Sequence, residues 1–93
     1  MILEDERIDL DTYLAEVPRR LDVLRVLSYE ERMSVEDLAR RLNLDVETAK
    51  NLLRDVEAMG LVDTREELDK GRITLKTRLS NRGVRYLRSK GLL

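Results

Sequence analysis

The stretch Ser34–Gly60, SVEDLARRLNLDVETAKNLLRDVEAMG, decides how the rest of the chain is read. Ser34 supplies a hydroxyl, and Asp37 three residues later a carboxylate, where each can satisfy free N–H groups at a helix N-terminus. The helix opened there carries Val35, Leu38, Ala39 and Leu42 on its inward side and Arg40 and Arg41 towards water, and Asn43 tolerates the left-handed conformation that stops it. Leu44 then pins a tight turn to the core. Asp45 caps a second helix, Val46 to Met59, whose inward residues are Ala49, Leu52, Leu53, Val56 and Met59, and Gly60 ends it. Two helices joined by a turn of about three residues make a helix-turn-helix.

Beyond Gly60 the hydrophobic period changes from helical to two. Leu61 to Arg65 reads as a short strand, Glu66 to Gly71 as a turn, and Arg72 to Leu79 as a second strand. Ile73, Leu75 and Leu79 share one face of that strand; Arg72, Lys76 and Arg78 share the other, with Lys70 at the tip. Ser80 caps a last helix that turns Val84 and Leu87 inward and holds Tyr86 at its edge. On the N-terminal side, Glu30 to Met33 reads as a loop, preceded by a helix with Pro18 in its first turn and Leu21, Val23, Leu24, Val26 and Leu27 on a wide apolar face. Before Pro18, Leu3, Leu10, Leu14 and Val17 form one stripe of an amphipathic helix. The division expected is therefore residues 1–17 as an N-terminal helix and 18–93 as the main domain.

Ninety-three residues provide one small core. Aromatic content is 3%, confined to Tyr13, Tyr29 and Tyr86, so aliphatic side chains must fill that core. There is no Cys and no His. That removes disulfides, thiol chemistry, the usual zinc ligands and the usual general base, so no catalytic residue, metal site or cofactor is expected. An acidic start and the lack of any run of about 18 apolar residues read as a soluble, cytoplasmic protein without a membrane partner. Charged residues make up 40% of the chain, a thermophile-like composition.

The net charge of −1 conceals a strong segregation. Residues 1–18 hold Glu4, Asp5, Glu6, Asp9, Asp11 and Glu16 against Arg7 alone. Residues 70–93 hold Lys70, Arg72, Lys76, Arg78, Arg82, Arg85, Arg88 and Lys90 and no acid.

The order helix, helix, turn, helix, hairpin, helix resembles the winged helix-turn-helix domains of small bacterial and archaeal regulators of the MarR and ArsR kind, over roughly residues 19–90. The residues that carry the resemblance are Ser34-Val35-Glu36-Asp37-Leu38-Ala39, the run Thr48 to Leu61 with its ending Glu57-Ala58-Met59-Gly60-Leu61-Val62, and Leu79-Ser80-Asn81-Arg82-Gly83, which is similar to the Leu-Thr-x-x-Gly leading from wing strand to final helix in that group. It implies an α+β, mainly α fold with an extra N-terminal helix and a two-stranded wing.

The resemblance also makes Val46 to Met59 the recognition helix and double-stranded DNA the partner. Thr48, Lys50, Asn51 and Arg54 are then the candidates for base contact: Lys and Arg suit guanine, Asn suits adenine, and Thr suits a phosphate or a thymine methyl. Arg40, Arg41, Lys70, Arg72, Lys76 and Arg78 are the candidates for phosphate. The same helix also carries Asp45, Glu47, Asp55 and Glu57, so most of the affinity is expected from the wing. Leu3, Leu10, Leu14 and Val17 are expected to form a homodimer seam. The alternative is a winged-helix module that binds another protein within a larger complex.

Overall fold

A computed structural model describes residues 9–93. The described residues form five helices, α1 (Leu10–Glu16), α2 (Arg19–Leu27), α3 (Val35–Leu42), α4 (Val46–Ala58) and α5 (Asn81–Ser89), and a sheet built from β1 (Met33–Ser34), β2 (Val62–Asp69) and β3 (Arg72–Leu79), with α2 to α5 packed on the sheet and α1 on α2. The strand order is β1-β3-β2, antiparallel throughout. This is the winged helix-turn-helix architecture.

The helix-turn-helix forms as its side chains dictate. Ser34 Oγ accepts the Asp37 N–H at 3.0 Å. The Asp37 carboxylate does not reach back to the cap and pairs with Arg40 instead. Asn43 stands at φ 59°, and the N–H groups of Asn43 and Leu44 return to the carbonyls of Arg40 and Ala39 at 3.1 and 2.9 Å, which closes the helix end. The Leu42 carbonyl accepts from the Arg19 guanidinium of α2. Val35, Leu38, Ala39 and Leu42 meet Ala49, Leu52, Leu53 and Val56 in one core with Val23, Leu24 and Leu27.

The sheet departs from the sequence reading in two ways. Met33 belongs to a strand, not a loop: Met33 and Ser34 pair with Thr77 and Lys76 and make the sheet three-stranded. Two residues are too few to show a period, which hid the strand. The hairpin is also longer than expected. Lys70 and Gly71 both take positive φ, 54° and 79°, giving a two-residue turn whose twist matches the strands, so pairing runs to Asp69 opposite Arg72 and Glu66–Asp69 is strand. Ile73 keeps the face it was expected to share with Leu75 and Leu79 but lies in solvent. The helices cover only the base of the hairpin, where Val62 and Thr77 are buried, and the far end carries Ile73 and Leu68 into solvent.

The junction between hairpin and α5 explains the Ser80-Asn81-Arg82-Gly83 motif. Ser80 Oγ accepts the Gly83 N–H at 3.0 Å and donates to the Gly60 carbonyl at 2.6 Å, so one side chain starts α5 and holds the end of α4. A Cβ at position 83 would stand 2.2 Å from the Leu61 carbonyl oxygen, which is why this helical position needs glycine.

The stripe expected to form a dimer seam packs, as far as it is described, on its own domain. Leu14 is 3% exposed within the core, and Leu10 and Val17 lie half-buried against it; Leu3 falls outside the described residues. α1 is thereby part of the same core as residues 18–93. Among the described residues no helix is long and apolar enough to cross a membrane.

Candidate nucleic-acid interface

α4 begins at Asp45, whose carboxylate accepts the Thr48 N–H at 3.3 Å and the Thr48 hydroxyl at 2.6 Å. Those bonds, the hydroxyl's first, hold the Asp45 carboxyl below its ordinary value of 3.8. On the side of α4 away from the core, Glu47, Asn51 and Arg54 are exposed, and Arg54 donates to Asn51 Oδ1 at 3.2 Å. Lys50 is half-buried beside them. Of the expected base-reading set, Lys50, Asn51 and Arg54 therefore come together, whereas the Thr48 hydroxyl is committed to the helix cap.

The acids of α4 have separate destinations. Asp45 is the cap. Asp55 faces α2 and accepts from Arg20 Nε at 3.0 Å. Glu47 and Glu57 are both exposed without an ion pair among the described residues, Glu47 beside Asn51 and Glu57 on the side of a groove that Lys50 and Arg54 also line. The count of acids along this helix therefore overstates the negative charge on its outer side.

What fixes α4 from behind was not visible in the sequence. Arg20 is only 13% exposed; its guanidinium lies 3.9 Å from the Tyr13 ring centroid and donates to the Tyr13 carbonyl at 2.8 Å as well as to Asp55. Tyr13 OH donates in turn to the Asp55 carbonyl at 3.0 Å, in the last turn of α4. The pair is part-buried, so the cost of desolvating Arg20 offsets much of its attraction to Asp55. Tyr13 and Arg20 thus tie α1, α2 and α4 together. Their only signal in the sequence is an arginine near the start of an otherwise apolar helix face.

Between α4 and the hairpin runs a groove of about 240 Å³ with Val35, Leu53 and Leu75 as its floor and Lys50, Arg54, Glu57 and Thr64 on its sides. Because side chains alternate along a strand, the face of the hairpin that looks towards Lys50 and Arg54 carries Thr64, Glu66 and Leu68 on β2 and Ile73 and Leu75 on β3.

Arg72, Lys76 and Arg78 lie on the opposite face. There the register sets Asp69 across from Arg72, Arg65 across from Lys76 and Asp63 across from Arg78. Arg72 and Lys76 border a hollow with Glu36, Asp37 and Asp69; Lys76 and Arg78 border another with Arg32, Asp63 and Arg65. Arg32 itself pairs with Glu67 at 2.5 Å. The wing that looked basic along β3 is therefore close to neutral once β2 is laid beside it, and its bases do not share a face with α4. Lys70 alone of the four occupies the tip. None of the four forms an ion pair among the described residues.

Arg40 and Arg41 are exposed on α3, but Arg40 pairs with Asp37 and Arg41 with Glu30 at 2.5 Å. The acidic and basic ends of the chain also meet. Asp11 of α1 accepts from Tyr86 OH at 2.6 Å and from Lys90 Nζ at 2.8 Å. The Lys90 bond, then the Tyr86 bond, lowers the Asp11 pKa, while burial first and Asp11 second raise that of Tyr86 to about 12. Part of the charge segregation is thus satisfied within the chain.

Residues 18–63 match the family described as winged helix-turn-helix DNA-binding. The chain is 31% identical over 70 residues to the uncharacterized HTH-type transcriptional regulator YdgJ of Bacillus subtilis (strain 168), covering 75% of this chain and 42% of that protein. It spans less than half the length of that relative. Among solved structures, a transcriptional regulator homologue from Pyrococcus horikoshii OT3 superposes with a TM-score of 0.74 at 19% identity, over 84% of this chain and 76% of the other. Wild-type MarR from E. coli, in its apo form, superposes with a TM-score of 0.71 at 18% identity, over 89% of this chain and 63% of the other. These two likenesses are of fold.

Proposed function

We propose, from the match of residues 18–63 to the family described as winged helix-turn-helix DNA-binding, that the protein is a transcription regulator that reads duplex DNA with α4. The observation that carries this reading is the outer side of α4, where Lys50, Asn51 and Arg54 stand together while Asp45 and Asp55 are engaged elsewhere by Thr48 and Arg20. Lys50 and Arg54 suit guanine O6 and N7, and the Asn51 amide suits adenine N6 and N7. With Arg72, Lys76 and Arg78 on the far face of the hairpin, the helix carries more of the contact than the count of charges along the chain implies.

On this reading the protein works in the cytoplasm, does no chemistry of its own, and binds as a homodimer whose two recognition helices enter successive major grooves about 34 Å apart. Leu10 and Val17, half-buried on α1, are what the described part of the expected seam can still offer a second copy. Fluorescence anisotropy with labelled random duplex tests the reading: binding at micromolar protein and about 50 mM salt that falls steeply as salt rises is the expected result. A flat titration at that salt rejects it.

A further inference from the structure

α4 sits on the core through Ala49, Leu52, Leu53 and Val56, all aliphatic. Contacts of that kind bury area without fixing direction, so a helix seated on them alone can roll or slide. Recognition of base edges tolerates little of that, because side chains in a binding constellation must be held within about 0.5 Å. Among the described residues, the side-chain bonds that reach α4 from other helices both end on Asp55. The Asp55 carbonyl would ordinarily accept the N–H of Met59, but that N–H turns to the Val56 carbonyl at 3.2 Å, and Tyr13 OH donates to Asp55 in its place at 3.0 Å. The Asp55 carboxylate accepts from Arg20 Nε at 3.0 Å, and the same guanidinium lies on the Tyr13 ring and bonds to the Tyr13 carbonyl at 2.8 Å. One residue of α4 is thus held through both its backbone and its side chain. Asp55 follows Arg54 directly and stands one turn beyond Asn51, so the grip on it sets the direction in which both side chains leave the helix.

Resting on the regulator reading above, we propose that Tyr13 and Arg20 are positioning residues for base recognition: without touching DNA they clamp the last turn of α4 and so aim Asn51 and Arg54. Neither is free to serve the duplex itself, since Arg20 is only 13% exposed and the Tyr13 hydroxyl is spent on Asp55. The clamp acts on discrimination between sequences. A bidentate base contact fails when the helix is turned, whereas the attraction of its charges to phosphate barely changes. α1 and α2 thereby take part in reading a sequence that only α4 meets.

The test compares the wild type with Tyr13→Phe and Arg20→Lys on two labelled duplexes, one that the wild type selects from a random pool and one of random sequence. Neither substitution alters the net charge. Phe keeps the ring beneath the guanidinium and loses only the hydroxyl, and Lys keeps the cation but lacks the planar fork that bonds Asp55 and the Tyr13 carbonyl together. Melting curves first establish that each variant is folded at the titration temperature; if Arg20→Lys is not, Tyr13→Phe decides alone. Affinity for the selected duplex should fall about fivefold, the scale of one net hydrogen bond, while affinity for the random duplex and its salt slope keep their wild-type values. In a protein already carrying Asn51→Ala and Arg54→Ala, Tyr13→Phe should cost nothing more, because no base-reading side chain is left to aim. A lower melting temperature with the ratio of the two affinities unchanged would make the bonds merely structural; that result overturns the clamp and leaves the regulator reading intact. Losses that simply add to those of Asn51→Ala and Arg54→Ala overturn it as well. Failure of the wild type to bind any duplex removes both readings together.

Discussion

In the α3–α4 unit, apart from Asp55 with Arg20 and Arg41 with Glu30, charged and polar side chains find their partners three residues away: Ser34 caps Asp37, Asp45 holds Thr48, Asp37 pairs with Arg40, and Arg54 bonds to Asn51. In the β2–β3 hairpin, neighbours are set by register, so Arg72 stands beside Asp69 but Arg78 beside Asp63, fifteen positions back along the chain. The two regions are similarly rich in charge, yet only in the first does spacing along the chain tell what a charge does. In a hairpin the turn decides it, and a change of one residue in the turn would exchange every face.

The largest effect expected to separate the two regions is on stability. Leu38 of α3 is fully buried, and Leu38→Ala should destabilise the protein by about 2–5 kcal/mol through lost burial and the cavity left behind. Leu68→Ala, the same chemical change at the far end of the hairpin, should stay within about 0.5 kcal/mol. Urea titration followed by circular dichroism measures both. A cost well above 1 kcal/mol for Leu68→Ala would mean that the tip is covered in solution and would dissolve the contrast.

That asymmetry also explains how far the sequence could be read. Caps at Ser34, Asp45 and Ser80, the left-handed stop at Asn43, and the inward faces of α3 and α4 are local, and each is found as expected. Ile73 shares the face of Leu75 and Leu79 as expected, but its exposure was not legible, because alternation tells which face a residue shares and not how far along the strand the helices reach. The local charge of the wing could not be read from β3 alone, because the register sets Asp69 and Asp63 of β2 beside Arg72 and Arg78. The Tyr13–Arg20–Asp55 knot joins three helices across 42 positions and has no periodic signature at all.

A second pair of substitutions compares the regions as DNA contacts. On a selected duplex, Arg54→Ala should weaken binding by about 1–3 kcal/mol and relax preference at one base position, as the loss of a bidentate base contact does. Arg72→Ala, on the hairpin face turned away from α4 and opposite Asp69, should change affinity by no more than about twofold. Anisotropy titrations of the two variants at a common salt concentration decide the order. If Arg72→Ala proves the more costly, the outer face of the hairpin meets the phosphates, and the helix and wing exchange roles.

The smallest effect concerns the cap of α4 and sharpens the helical half of the contrast. Asp45 is fully exposed, yet its carboxyl is held below 3.8 by the Thr48 hydroxyl and N–H, bonds that exist only when the helix is formed. A carboxylate whose folded value is depressed contributes stability that is present above its unfolded value and is lost as pH falls through the folded one. Melting temperature should therefore drop as pH is lowered below about 4. Asp45→Asn keeps an oxygen that accepts the Thr48 N–H but has no proton to take up, so the variant should start slightly less stable at neutral pH, where the helix N-terminus favours a negative cap, and should then fall less steeply. The slope is reduced and not abolished, because Asp11, held low by Lys90 and Tyr86, still titrates in the same window. Thermal melts of both proteins between about pH 2.5 and 7 test this, and parallel curves would show that the cap does not respond to the charge of Asp45.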